Sequence, residues 1–131
     1  MAFLGIFKSK AEKERLSHIK SLIALSMVDG KMQDAELWAI AEIGVREGVN
    51  PKEVERLLAS PGRTELIVPD SYSKREQYLK DMVRLMISDG NIDDNEMAWC
   101  KMFAEAFGYE HEVIDAMLQD IVADFKAQMG L

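Results

Sequence analysis

The sequence predicts an all-α, single-domain bundle of about six to seven helices, and three observations carry that expectation. Apolar residues recur at helical spacing, and no segment sustains the two-residue alternation of a strand. Helix start and stop signals bracket those periodic stretches. A unit of helix, acidic loop, helix and helix is written twice: residues 22–58 align without a gap on residues 82–118, pairing Leu25 with Leu85, Asp29 with Asp89, Gly30 with Gly90, Glu36 with Glu96 and Gly48 with Gly108. Two copies whose apolar faces match pack most simply as one bundle. A chain of 131 residues is long enough to do so around one core.

Repeat 1 spans about residues 9–60. Its first helix opens at "SKAE", where Ser9 and Glu12 form a capping box, and carries Leu16, Ile19, Leu22, Ile23 and Met27 on its apolar stripe. Gly30 stops it. The second helix runs from about Asp34 to Glu47 with Leu37, Ile40, Ala41 and Gly44 inward and Gly48 as its left-handed terminus. Asn50-Pro51 then caps a third helix that buries Val54, Leu57 and Leu58. A connector over about residues 60–72, with two prolines and a glycine, leads to repeat 2 at about residues 73–128. There Ser73 and Glu76 are expected to repeat the capping box. The next helix runs from about Asp94 to Phe107, and the last from about His111 to Gln128 with Val113, Met117, Ile121, Val122 and Phe125 inward.

Charge narrows the partners. The net charge is −7, and the excess lies in the second half: residues 1–60 carry 9 basic and 9 acidic side chains, residues 61–131 carry 7 and 14. Nucleic-acid binding draws on clustered Lys and Arg, so the composition excludes it as the expected function. A cation or a basic partner suits an acidic chain better. Cys100, the single cysteine, stands in the apolar stretch "MAWCKMFAEAF" and reads as a small buried hydrophobe in a reducing compartment. The first residues, "MAFLGIFKSK", lack the layout of a secretory signal, and Ala2 excludes myristoylation. Two readings fit them: an arm packing Phe3, Leu4, Ile6 and Phe7 on the domain, or a weak membrane-surface contact through residues 1–8. With no transmembrane span in the sequence, a cytoplasmic location is expected.

The twice-written loops, "VDGKMQDAE" and "SDGNIDDNE", are the candidate site. Asp29 and Asp89 end their helices, and Glu36 and Glu96 lean back over the loops from the first turn of the next ones. Gathered oxygen ligands suit Ca²⁺, or Mg²⁺/Mn²⁺ with more water. Placing Asp29 at loop position 5 of an EF-hand puts Gly30 at 6 and Glu36 at 12, and the second copy matches. Positions 1 and 3 then fall on Leu25 and Met27, or Leu85 and Ile87, so a full EF-hand is rejected. Loop architecture is the competing account: Asp93 or Asp94 caps its helix, and Glu36 and Glu96 close capping boxes. The carboxylates have no nucleophile, phosphate loop or histidine set beside them in sequence, so no enzyme is expected. Eight methionines beyond the start also fit a third possibility, a metal-free helical adaptor with an adaptable groove.

The paired DG(K/N)(M/I)xDxE loops, with "SDGNIDDNE" followed closely by "MFAEAFGYEHEVI", make the chain resemble the tellurite-resistance TerB family over about residues 14–122. The resemblance implies a helical single-domain protein of bacterial tellurite and stress-response systems. Related domains are attached to other modules, J-domain co-chaperones among them. It further implies a divalent cation at the acidic loops, held from among Asp29, Asp34 and Glu36 in the first copy and Asp89, Asp93, Asp94 and Glu96 in the second. The family's small residues before the DG pair are replaced here by "LSMV" and "LMIS", and no His-Pro-Asp signature of a J-domain is present. Lys31 and Gln33 make the first loop the poorer cation site.

Overall fold

The computed structural model describes residues 8–60, 62 and 65–131; the readings made for Phe3, Leu4, Ile6 and Phe7 fall outside them. Six helices and no strand occur among the described residues. They are α1 (Lys10–Ser26), α2 (Asp34–Arg46), α3 (Pro51–Ala59), α4 (Tyr72–Met86), α5 (Asp94–Ala106) and α6 (Glu112–Gln128). None is long and apolar enough to cross a membrane.

Helix α4 is central, touching α1, α2, α5 and α6. Its Leu79, Met82, Val83 and Met86 are buried against Ile19, Leu22 and Ile23 of α1. Each such side chain contributes roughly 1.5–3 kcal/mol by leaving water. The ends follow the sequence signals in most places. Ser9 Oγ accepts from the Glu12 amide at 3.1 Å, and Asn50 Oδ1 caps α3 through the Lys52 amide at 2.9 Å. At Gly48 (φ 73°) and Gly108 (φ 90°) the chain turns left-handed, which lets the next amide reach back to Gly44 and Ala104 carbonyls at 2.9 Å in both cases.

Three expectations are corrected. Helix α4 is capped by Ser71, whose Oγ accepts from the Lys74 amide, so Ser73 lies inside the helix. Lysine at the third position lacks the glutamate that marks a capping box, and the true cap was therefore hidden. Leu37 is 40% exposed because α2 turns Glu36 inward. Adjacent helical positions stand about 100° apart, so burying one swings the other out. Met27 and Phe125 are exposed as well. Met27 is the residue after α1 ends, and Phe125 lies on the last turns of α6, where every residue from Ala123 on is exposed. Between α3 and α4 the described residues form neither helix nor strand; Ser17 Oγ holds this connector to α1 by donating to the Glu65 carbonyl at 2.9 Å and accepting from the Ile67 amide at 3.0 Å.

A buried polar cluster joins α1, α2 and α4, and nothing in the sequence pattern singled it out. Asp81 accepts two bonds from Arg46, at 2.8 and 2.6 Å, and lies 2.8 Å from His18 Nε2. Burial pushes the His18 imidazole below its ordinary pKa, so the neutral ring donates from Nε2. The ring stacks on Tyr78 with centroids 3.6 Å apart. Burial opposes ionisation of Asp81, but the bonds from Arg46 and His18 outweigh it and hold the carboxyl below the usual aspartate value. Next to it Glu47 accepts from Tyr78 Oη at 2.6 Å and Lys74 Nζ at 3.0 Å. Each buried carboxylate here has its own cations or donors. Replacing Asp81 with Ala strands the His18 N–H and leaves Arg46 only its longer contact to Glu47, and is expected to lower stability by about 2–4 kcal/mol, as urea unfolding at neutral pH would measure.

Candidate cation site at the two acidic loops

The loops that follow α1 and α4 are built alike. Met27 and Ile87 close the helices with φ of −98° and −97°, and Gly30 and Gly90 follow at φ 87° and 85°. Asp29 Oδ1 accepts the Lys31 amide at 3.1 Å, and Asp89 Oδ1 accepts the Asn91 amide at 3.0 Å. The aspartates thus turn one oxygen back on their own loops. Leu25 and Leu85, where an EF-hand needs its first ligand, are fully buried in helices, as the sequence required.

Glu36 and Glu96, on the third residues of α2 and α5, are only 2% and 4% exposed. In each, the outer oxygen Oε2 is buried without a hydrogen-bond partner. The two loops meet: burial first, then the charges of Glu36, Asp29, Asp93 and Asp89, raise the Glu96 carboxyl to about 7. Glu36 is raised too, by burial and by Asp29 and Asp89, so each loop's aspartate acts on both glutamates.

The difference between the two glutamates traces to two residue differences between the copies. Glu36 Oε1 accepts the Gln33 amide at 3.0 Å, closing the expected box. It also has Ser26 nearby, whose Oγ favours its charged form without reaching hydrogen-bond geometry. In the second copy Asp93 replaces Gln33 and caps α5 itself, accepting the Asn95 and Glu96 amides at 2.8 and 3.0 Å. Met86 stands where Ser26 does. The expected capping box at Glu96 is only half made: Asp93 accepts the Glu96 amide, but the Glu96 side chain does not accept the Asp93 amide in return.

Of the seven residues expected at a cation site, Asp29, Glu36, Asp89 and Glu96 act on one another, with Asp93 at the edge as a cap. Asp34 and Asp94 are exposed first residues of α2 and α5, where a carboxylate favours the helix dipole. Among the described residues no three carboxylate, imidazole or thiol groups stand close enough to form a ready-made metal cage. What the site offers is a pair of partnerless buried oxygens flanked by two solvent-facing aspartates, a hard-oxygen donor set of the kind Mg²⁺, Mn²⁺ and Ca²⁺ take. Cys100, one turn beyond Glu96, is fully buried and its thiol is pushed up to about 12, which makes it inert. Ser88 Oγ donates to the Leu85 carbonyl at 2.7 Å. His18, the buried histidine, is committed to Asp81 in the other cluster.

No family model matches this chain, and no curated protein or solved structure matches it at a significant level.

A glutamate raised from its ordinary value near 4.5 to about 7 binds its proton more tightly in the folded protein than in the unfolded chain. Its contribution is present below pH 4.5 and fades as pH rises toward 7. In chelator, the melting temperature is expected to fall over that interval. Glu96→Gln should flatten the fall and melt above the parent at pH 8, and a calorimetric pH series checks both.

Proposed function

We propose that this chain is a TerB-like helical module that takes up a divalent cation between its two acidic loops, performs no chemistry itself, and passes the bound state on to a protein partner. The observation that carries the reading is the pair of buried, partnerless Oε2 atoms of Glu36 and Glu96 within the field of Asp29 and Asp89. A buried carboxylate without a donor costs free energy that a shared cation would recover. The near-identical loop geometry supports an internal duplication, and with it the TerB-like plan. Two buried oxygens, with aspartates able to approach from solvent, favour an ion that keeps several waters, Mg²⁺ or Mn²⁺; Ca²⁺ would draw in more of the loop. The cytoplasmic stress-response setting follows from the resemblance alone.

A second reading, a metal-free adaptor, is favoured by one feature. Between α2 and α3 runs an apolar groove of about 630 Å³ lined by Leu37, Val45, Val54 and Leu58. Such a groove fits the apolar face of a partner helix.

Calorimetric titration of chelator-stripped protein with Mg²⁺, Mn²⁺ and Ca²⁺ separates the two. The cation reading expects saturable binding, a rise in melting temperature that grows with cation concentration, and release of protons at pH 6.5 as the glutamates ionise. Glu36→Gln/Glu96→Gln should abolish all three. Absence of heat and of any melting shift at millimolar cation would leave the adaptor reading in its place.

A further inference from the structure

The twice-written unit allows the groove between α2 and α3 to be compared with its own counterpart. Each position along the α2–α3 seam has an equivalent on the α5–α6 seam. In the second copy that seam is closed by polar pairs from the chain itself: Lys101 Nζ lies 3.5 Å from Asp115 Oδ2, and His111 Nδ1 lies 3.1 Å from Glu105 Oε1. The first copy holds only one member of these pairs. Glu55 stands where Asp115 does, but Ala41 takes the place of Lys101, Val45 that of Glu105 and Pro51 that of His111. All four line the groove of about 630 Å³.

Those differences turn a sealed seam into an open apolar trough. Val45 is 71% exposed in it and Leu37 40%. The floor is firm, because Val54 packs so closely on Gly44 that a Cβ there would stand 3.0 Å from Val54 Cγ2. Glu55 is exposed on the wall. Among the described residues neither neighbouring cation of α3 meets it: Lys52, one turn earlier, forms no ion pair with it, and Arg56 is turned to Glu53, to which its Nε donates at 3.0 Å. The lining runs from Leu37 to Val45 along α2, about two helical turns. That length suits the apolar stripe of a short amphipathic helix.

We infer that the α2–α3 groove is the docking site for a basic amphipathic helix of a partner protein. Its apolar face lies along Leu37, Val45 and Leu58, and one lysine or arginine meets Glu55 in the place that Lys101 occupies in the second copy. Charge complementarity selects this occupant: the first copy keeps the carboxylate of the cross-helix pair without the ammonium, so the cation that completes the pair comes with the helix that fills the trough. An acidic helix would set like charge against Glu55. Such docking needs no cation at the loops, and it rests only on the partner-binding half of the function proposed above.

A displayed library of helices about four turns long, with leucines fixed along one face and the flanking positions randomised, is selected on the full chain in EDTA, and the selected peptide is measured by fluorescence anisotropy. Expected are Lys or Arg enriched at one position beside the leucine stripe, and Asp or Glu at that position when the selection is repeated on Glu55→Lys. Val45→Asp, at an exposed position, should weaken the peptide about tenfold or more. Ala41→Lys, which supplies the ammonium of the second copy from within the chain, should weaken it about fivefold. Glu36→Gln/Glu96→Gln should bind it as the parent does, so a failure of the cation reading leaves the groove standing. A selection that yields no peptide, no basic preference, or the same peptides on Glu55→Lys overturns the proposal. Binding unchanged by Val45→Asp, or lost in the loop variant, does so too. A parent that dimerises with concentration and is made monomeric by Val45→Asp overturns it as well, since the groove would then belong to a second copy of this chain.

Discussion

The architecture turns on a single constraint: α2 and α5 each bury a glutamate in their first turn. Burying Glu36 fixes the rotation of α2, which turns Ile40 and Gly44 to the core and leaves Leu37 on the surface. Burying Glu96 does the same for α5, bringing Cys100, Phe103 and Ala104 inward one and two turns later. Both helices thereby present their N-termini to one place, and the loops that precede them must meet there. Helix N-termini favour negative charge, so the arrangement is tolerable, but two carboxyls that share a field cannot both ionise cheaply.

The core contains its own control for what an arrangement made purely for stability looks like. Asp81 and Glu47 are as deeply buried as Glu36 and Glu96, yet they are met by Arg46, Lys74, Tyr78 and His18, and both are held below their ordinary values. Where the fold needs an interior carboxylate, it supplies the donors. At the loops, the compensation seen among the described residues is the Gln33 backbone amide and the nearby Ser26 hydroxyl in the first copy; in the second, Glu96 does not accept the Asp93 amide and Met86 stands in place of Ser26. That contrast, within one molecule, is the observation behind the cation reading: the acidic loops leave buried carboxylate oxygens without donors, and the core cluster does not.

Much of this was legible in the chain. Helical periodicity, Asn50-Pro51, and the glycines at 48 and 108 located α2, α3, α5 and α6 within a residue or two, because those signals are local, whereas α1 and α4 end at Ser26 and Met86, three residues before the aspartates expected to close them. The start of α4 was misplaced because Ser71 and Ser73 both stand three residues before a polar side chain, and only geometry decides which one caps. The site was legible as a motif and not as an arrangement. Identical spacing marked Asp29, Glu36, Asp89 and Glu96, but that the loops face each other is a tertiary fact, and the divergence of Glu36 from Glu96 rests on Gln33/Asp93 and Ser26/Met86, pairs that look incidental in an alignment. The cluster around Asp81 left no trace at all: His18, Arg46 and Asp81 are far apart in sequence and obey no spacing rule, since long-range contacts between helices set them.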